Sequence, residues 1–130
     1  MNASNHPHKH RRGLARLRYA FVYSLPGLLA GVRTSPALRL ELALAGFGFV
    51  LAFLLGRNWL EVVFLLAVLV LVLIVEMLYC GIEAAIDRVG FEIHPLSKLA
   101  KDYGSAAVFL SLVLCAGVWL SLLCVRLVAY

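Results

Sequence analysis

Three long apolar runs constrain this chain more than anything else in it. They lie at about residues 37–56, 60–86 and 105–125. At about 1.5 Å rise per residue, twenty helical residues cross a hydrocarbon layer of roughly 30 Å. Lipid offers the backbone no hydrogen-bond partner, so each run is expected to be a helix. Composition weighs against the main alternative, a soluble helical bundle: with 63% hydrophobic residues in 130, such a fold could not hide its apolar surface. The expected class is an all-α membrane protein, with one membrane domain over residues 13–130 after a disordered basic tail at 1–12. The first run starts far from the N-terminus and ends without a small-x-small site, which argues against a cleaved signal peptide.

Positive charge orients the spans. Lys9, Arg11, Arg12, Arg16, Arg18 and Arg33 precede the first, and Arg88, Lys98 and Lys101 lie between the second and third. The link between spans one and two carries only Arg57. The N-terminus and the second loop are therefore expected in the cytoplasm, with Arg126 at the outer end free to snorkel. The net charge of +5 gathers at the inner face without forming a basic stripe. That argues against a nucleic-acid partner and for anionic headgroups or nucleotide phosphates. His6, His8 and His10 alternate like a weak metal-binding tract or belong to a floppy cationic tail. Cys80, Cys115 and Cys124 fall inside the apolar runs and read as packing residues.

Between the tail and the first span, Leu14, Leu17, Phe21, Leu25 and Leu28 recur at helical spacing with Arg16 and Arg18 among them. This predicts an amphipathic helix over about 13–33 on the inner membrane surface, kinked or interrupted at Pro26-Gly27. Ser35 is placed to cap the first span and Pro36 to open it. "GRNW" at 56–59 reads as a tight turn, with Trp59 at headgroup level. In the link 87–104, Gly90 is expected to end the second helix, and Pro95 to open a short amphipathic piece before the third span.

The second run ends in "VEMLYCGIEAAIDRVG", with Glu76, Glu83 and Asp87 at or near membrane depth. At about 100° per residue, seven residues make two turns less about 20°, and four make one turn plus about 40°. The three acids therefore share one stripe, about 16 Å long at the helical rise. Carboxylates at such depth must face protein or a wet cleft. They could simply pair with basic residues across a helix interface. A proton-coupled carrier is a further reading, although three spans offer few walls for a path. With Lys101-Asp102 in the adjoining link, the stripe also suits phosphoryl transfer. That chemistry needs carboxylates to hold magnesium, a cation to draw charge from phosphates, and a carboxylate to deprotonate the attacking hydroxyl. The chain has neither a Walker glycine loop nor a protein-kinase signature.

The stretch Val75–Val108, "VEMLYCGIEAAIDRVGFEIHPLSKLAKDYGSAAV", resembles the signature of the prokaryotic diacylglycerol kinases, small membrane lipid kinases. "YSLPGLLAGVRTSPALRLE" (23–41) is similar to the family's surface helix and first span. The resemblance implies a homotrimer with active sites shared between subunits, in the bacterial inner membrane. It also implies ATP, Mg2+ and transfer of the γ-phosphate to diacylglycerol, giving phosphatidic acid, or to undecaprenol in some relatives. By motif position it makes Glu76 the general base and Glu83 a metal ligand that also serves the nucleotide. Arg16, Tyr23, Glu92, His94, Lys101 and Asp102 become nucleotide contacts. Ala37, Arg39, Glu41 and Ser105 fall in the lipid site. Two positions depart from the pattern. Tyr79 stands where the family has an asparagine among the phosphates, and Ser35 where it has a second metal carboxylate. Glu41, six residues on, lies about 120° around the helix from Ser35 and cannot stand in without rearrangement. These departures keep open a divergent relative, weakly active or inactive, that binds lipid or assists another protein.

Overall fold

The computed structural model describes residues 13–129. The polar tail and its histidines lie outside the described residues. Four helices account for almost all of the rest: α1 (Leu14–Thr34), α2 (Pro36–Leu55), α3 (Trp59–Val89) and α4 (Pro95–Val128), with no strand among the described residues. The chain divides into two compact units at Thr34/Ser35.

The first unit contains α1. Proline removes one backbone donor and crowds the preceding turn, which is why the sequence predicts a kink or break at Pro26-Gly27. The helix does not break there; it continues through Pro26 for two further turns. Nothing lies within 4 Å of where a Cβ on Gly27 would be. Tyr19 and Tyr23, one turn apart, stack with ring centroids 5.4 Å apart.

In the second unit, Ser35 caps α2 and Pro36 occupies its first turn, as the sequence predicts. At the far end the chain reverses over three residues. Asn58 caps α3, its Oδ1 accepting from the Glu61 N–H at 2.9 Å, while Glu61 Oε2 accepts from the Arg57 N–H at 2.8 Å. Arg126 from α4 reaches the same carboxylate and donates to the Leu55 carbonyl at 3.2 and 3.3 Å. The sequence reading sends Arg126 out to the headgroups; instead it turns inward onto Glu61. A partly buried guanidinium gains more from a carboxylate and a helix-end carbonyl than from reaching for water.

Helix α3 is the centre, with α2 on one side and α4 on the other. Val62, Leu65, Val68, Val72 and Glu76 form its buried stripe at spacings of three and four. Ala52, Val62 and Leu65 make a buried cluster, packed by Val118, Trp119 and Leu122 of α4. Small residues allow the close crossings. The Leu69 side chain sits against the face of Gly48, and the Tyr79 ring fills the space a side chain on Gly104 would need.

The predicted short piece at Pro95 and the third span are one helix. Helix α4 starts at Pro95 and runs unbroken through Gly104. Gly104 would weaken an isolated helix, but here it is buried against Tyr79, and that packing carries the helix across it. Helices α2, α3 and α4 are each long and apolar enough to cross a membrane. Within the chain, Phe47, Leu54 and Leu127 are 65%, 73% and 77% exposed. A surface that apolar needs lipid or further protein against it.

Candidate active site

The acidic stripe of α3 passes through three environments. Glu76 is buried, at 4% exposure. Its Oε1 accepts from the Ser35 hydroxyl at 3.2 Å, and the Cys80 thiol lies 3.9 Å from the same oxygen. Two turns on, Glu83 is half-buried and makes no hydrogen bond or ion pair among the described residues. Asp87 is exposed and pairs with Lys101 of α4 at 3.0 Å. The simple pairing that the sequence leaves open is thus realised for Asp87, and not for Glu76 or Glu83.

Tyr79 stands between Glu76 and Glu83. Its phenol and the Ser105 hydroxyl hydrogen bond at 3.2 Å, joining α3 to α4 one turn beyond Lys101. Asp102 pairs with Lys98 at 2.6 Å along α4. A cleft of about 340 Å³ opens at this end of the second unit, lined by Asp87, Glu92, His94, Lys98, Lys101 and Asp102 among others. His94 caps α4, its Nδ1 accepting from the Leu96 N–H at 3.2 Å, which leaves Nε2 for other partners. The expected nucleotide contacts of the second link are therefore gathered together. Arg16 and Tyr23 lie on α1, in the other unit.

Of the residues expected at the lipid, Ala37 and Arg39 are exposed on the first turn of α2, and Ser105 is exposed on α4. Glu41 is half-buried, with its Oε2 covered and without a hydrogen-bond partner in the described residues. A covered carboxylate oxygen without a partner is uncommon in folded proteins. The sequence reading passes over Cys80 as packing and Lys98 as bulk charge. Both stand four residues from a site carboxylate, and that spacing is the signal that could have found them.

Among the described residues, no three His, Cys, Asp or Glu side chains converge as a metal cage. Magnesium does not require one when phosphates accompany it: one or two carboxylates suffice. Glu83, unpaired in the described residues, fits an ion that arrives with a polyphosphate better than a resident metal.

Three helices long and apolar enough to span, with a buried carboxylate on the central one and a cleft of paired acids and lysines at one end, define a small helical membrane protein. The chain belongs to the prokaryotic diacylglycerol kinase family, whose model matches residues 22–123. Among relatives, it is 44% identical to the diacylglycerol kinase of Pseudomonas aeruginosa over 117 residues, covering 90% of this chain and 95% of that one. It is 39% identical to the Escherichia coli diacylglycerol kinase over 111 residues, covering 85% and 91%. With that of Haemophilus influenzae the identity is 38% over 107 residues, covering 82% and 91%.

Proposed function

We propose that this protein is an ATP-dependent lipid kinase that phosphorylates diacylglycerol to phosphatidic acid. The observation that carries the reading is Glu76: one carboxylate, 4% exposed, in the middle of a membrane-spanning helix. Such a group is costly to keep unless it works. Glu76 takes the proton of the lipid hydroxyl as that oxygen bonds to the γ-phosphorus. The bond from phosphorus to the bridging oxygen breaks, and its electron pair leaves on ADP. Glu83 would hold a magnesium ion accompanying ATP, which would supply neutralisation of phosphate charge. Lys101 draws charge from the phosphates; its present pairing with Asp87 at 3.0 Å is exposed enough to exchange. Asp102, Glu92 and His94 complete the nucleotide cleft, and Arg16 and Tyr23 of α1 stay candidate nucleotide contacts by their motif positions. Ala37, Arg39, Glu41 and Ser105 receive the glycerol lipid.

In this reading α1 lies on the inner face of the inner membrane, the N-terminus is cytoplasmic, and three copies assemble with shared sites. The trimer rests on the resemblance to the family; the uncovered apolar faces are open to lipid and to further copies alike. The relatives named above are all diacylglycerol kinases, which favours activity over an accessory role and diacylglycerol over undecaprenol.

The test follows radiolabelled phosphate from ATP into diacylglycerol and undecaprenol in mixed micelles. Diacylglycerol is expected to be labelled, and Glu76→Gln to lower turnover by about a thousandfold or more, the scale at which a positioned base and its charge matter. A Glu76→Gln protein with native turnover would remove that residue from the base role.

A further inference from the structure

Ser35 stands where two structural demands meet. It is the N-cap of α2, and its Oγ accepts from the Leu38 N–H at 3.1 Å. The same hydroxyl donates to Glu76 Oε1 at 3.2 Å, across 41 residues of sequence. A hydroxyl has one proton to give and two lone pairs to receive with, so both bonds can exist together. The cap holds Oγ in place, and the fixed Oγ then holds one oxygen of the carboxylate. Glu76 has little else to anchor it: the Glu41 carboxyl nearby interacts with it as a like charge. Cys80, at 3.9 Å, is a weak donor to the same oxygen. Glu76 Oε2 makes no hydrogen bond among the described residues.

Packing at 4% exposure restricts the three side-chain torsions of Glu76, and a hydrogen bond to one oxygen sets which way the carboxylate plane faces. The family pattern has a carboxylate at position 35, which would set a second negative charge against Glu76. Serine instead offers a proton. Resting on the reading of Glu76 as base, we propose that Ser35 is a positioning residue: it pins Oε1 so that Oε2 is the oxygen that receives the lipid proton. The loss of charge at position 35 is then a change of role, in which a backbone cap is used to aim the base.

The test uses the full chain in mixed micelles with ATP, magnesium and diacylglycerol. Ser35→Ala removes both cap and donor. Ser35→Asp keeps a cap acceptor but, when ionised, has no proton to donate. Ser35→Thr keeps both. Ser35→Ala is expected to lower kcat by about tenfold to a hundredfold, the range for a lost hydrogen bond to a charged group. KM for ATP and for diacylglycerol should stay within about twofold, since neither ligand's binding contacts are removed. Ser35→Asp should be at least as slow as Ser35→Ala, and Ser35→Thr should recover most of the lost kcat. Infrared difference spectra against Glu76→Gln isolate the Glu76 carboxylate band, which Ser35→Ala should move and Ser35→Thr should leave near its native position.

Native kcat in Ser35→Ala, recovery by Ser35→Asp, or an unmoved carboxylate band would each overturn the positioning role while leaving the kinase reading intact. A native chain that labels no diacylglycerol overturns the kinase reading, and this proposal with it.

Discussion

Lys101 and Asp87 show what a single ion pair can and cannot do. Their side chains are 38% and 52% exposed, and pairs that open to water contribute at most about 1 kcal/mol to stability. In the proposed function the value of Lys101 lies in its three donors, which would pass from Asp87 to phosphate. Lys101→Met should raise KM for ATP by about tenfold or more, the scale of a lost charge-assisted bond, and shift the unfolding temperature little. Titrating ATP in the micelle assay and melting the same samples separates the two effects. At this scale the sequence is legible as to alignment but not environment. Counting 100° steps puts Glu76, Glu83 and Asp87 on one stripe. It could not say that the first is buried, the second unpaired in the described residues and the third paired, because each depends on which residue of another helix lies opposite. The contact between Ser35 and Glu76 is of the same kind: the cap is readable locally, the partner is not.

Helices α3 and α4 meet through Tyr79 and Gly104. The aromatic ring occupies the room a Cβ on Gly104 would need, so even a methyl must displace the ring or part the helices. Gly104→Ala should destabilise the chain by about 1–3 kcal/mol, the usual cost of overpacking. In a Tyr79→Asn background the penalty should largely disappear, and unfolding of the four proteins in detergent would measure that coupling. Additive losses would mean that the two residues do not share the space. The continuity of α4 was hidden in the sequence for a related reason. Proline, charge and glycine between 95 and 104 read locally as a broken link, and only the partner packed on Gly104 explains an unbroken helix. The ends of α2 and α3 were legible because caps and turns are local chemistry: Ser35 with Pro36, the turn at 56–59, and Gly90.

Across the second unit, one polar clamp ties all three spanning helices. Arg126 of α4 binds Glu61 of α3 and the terminal carbonyl Leu55 of α2. Their side chains are only 14% and 28% exposed, so removing one partner leaves the other charge poorly solvated. Glu61→Leu or Arg126→Leu alone should lower the unfolding temperature, and the double substitution should lower it by less than either, because it leaves no charge unpaired. Thermal unfolding in micelles gives the three values. Turnover of folded protein should change little, since the clamp lies at the opposite end of α3 from the nucleotide cleft. The three-span plan was evident from hydropathy alone, whereas this clamp required knowing that helix ends 55, 61 and 126 converge. The length of α4 carries a further mechanical meaning. At 34 residues it measures about 51 Å, against a hydrocarbon thickness of roughly 30 Å. The stem that projects beyond the lipid is the same rigid rod that crosses it. The altitude of Lys101 is therefore governed by how steeply that rod leans, and a thinner or thicker bilayer would raise or lower the end proposed to grip phosphate relative to the plane where the greasy substrate floats.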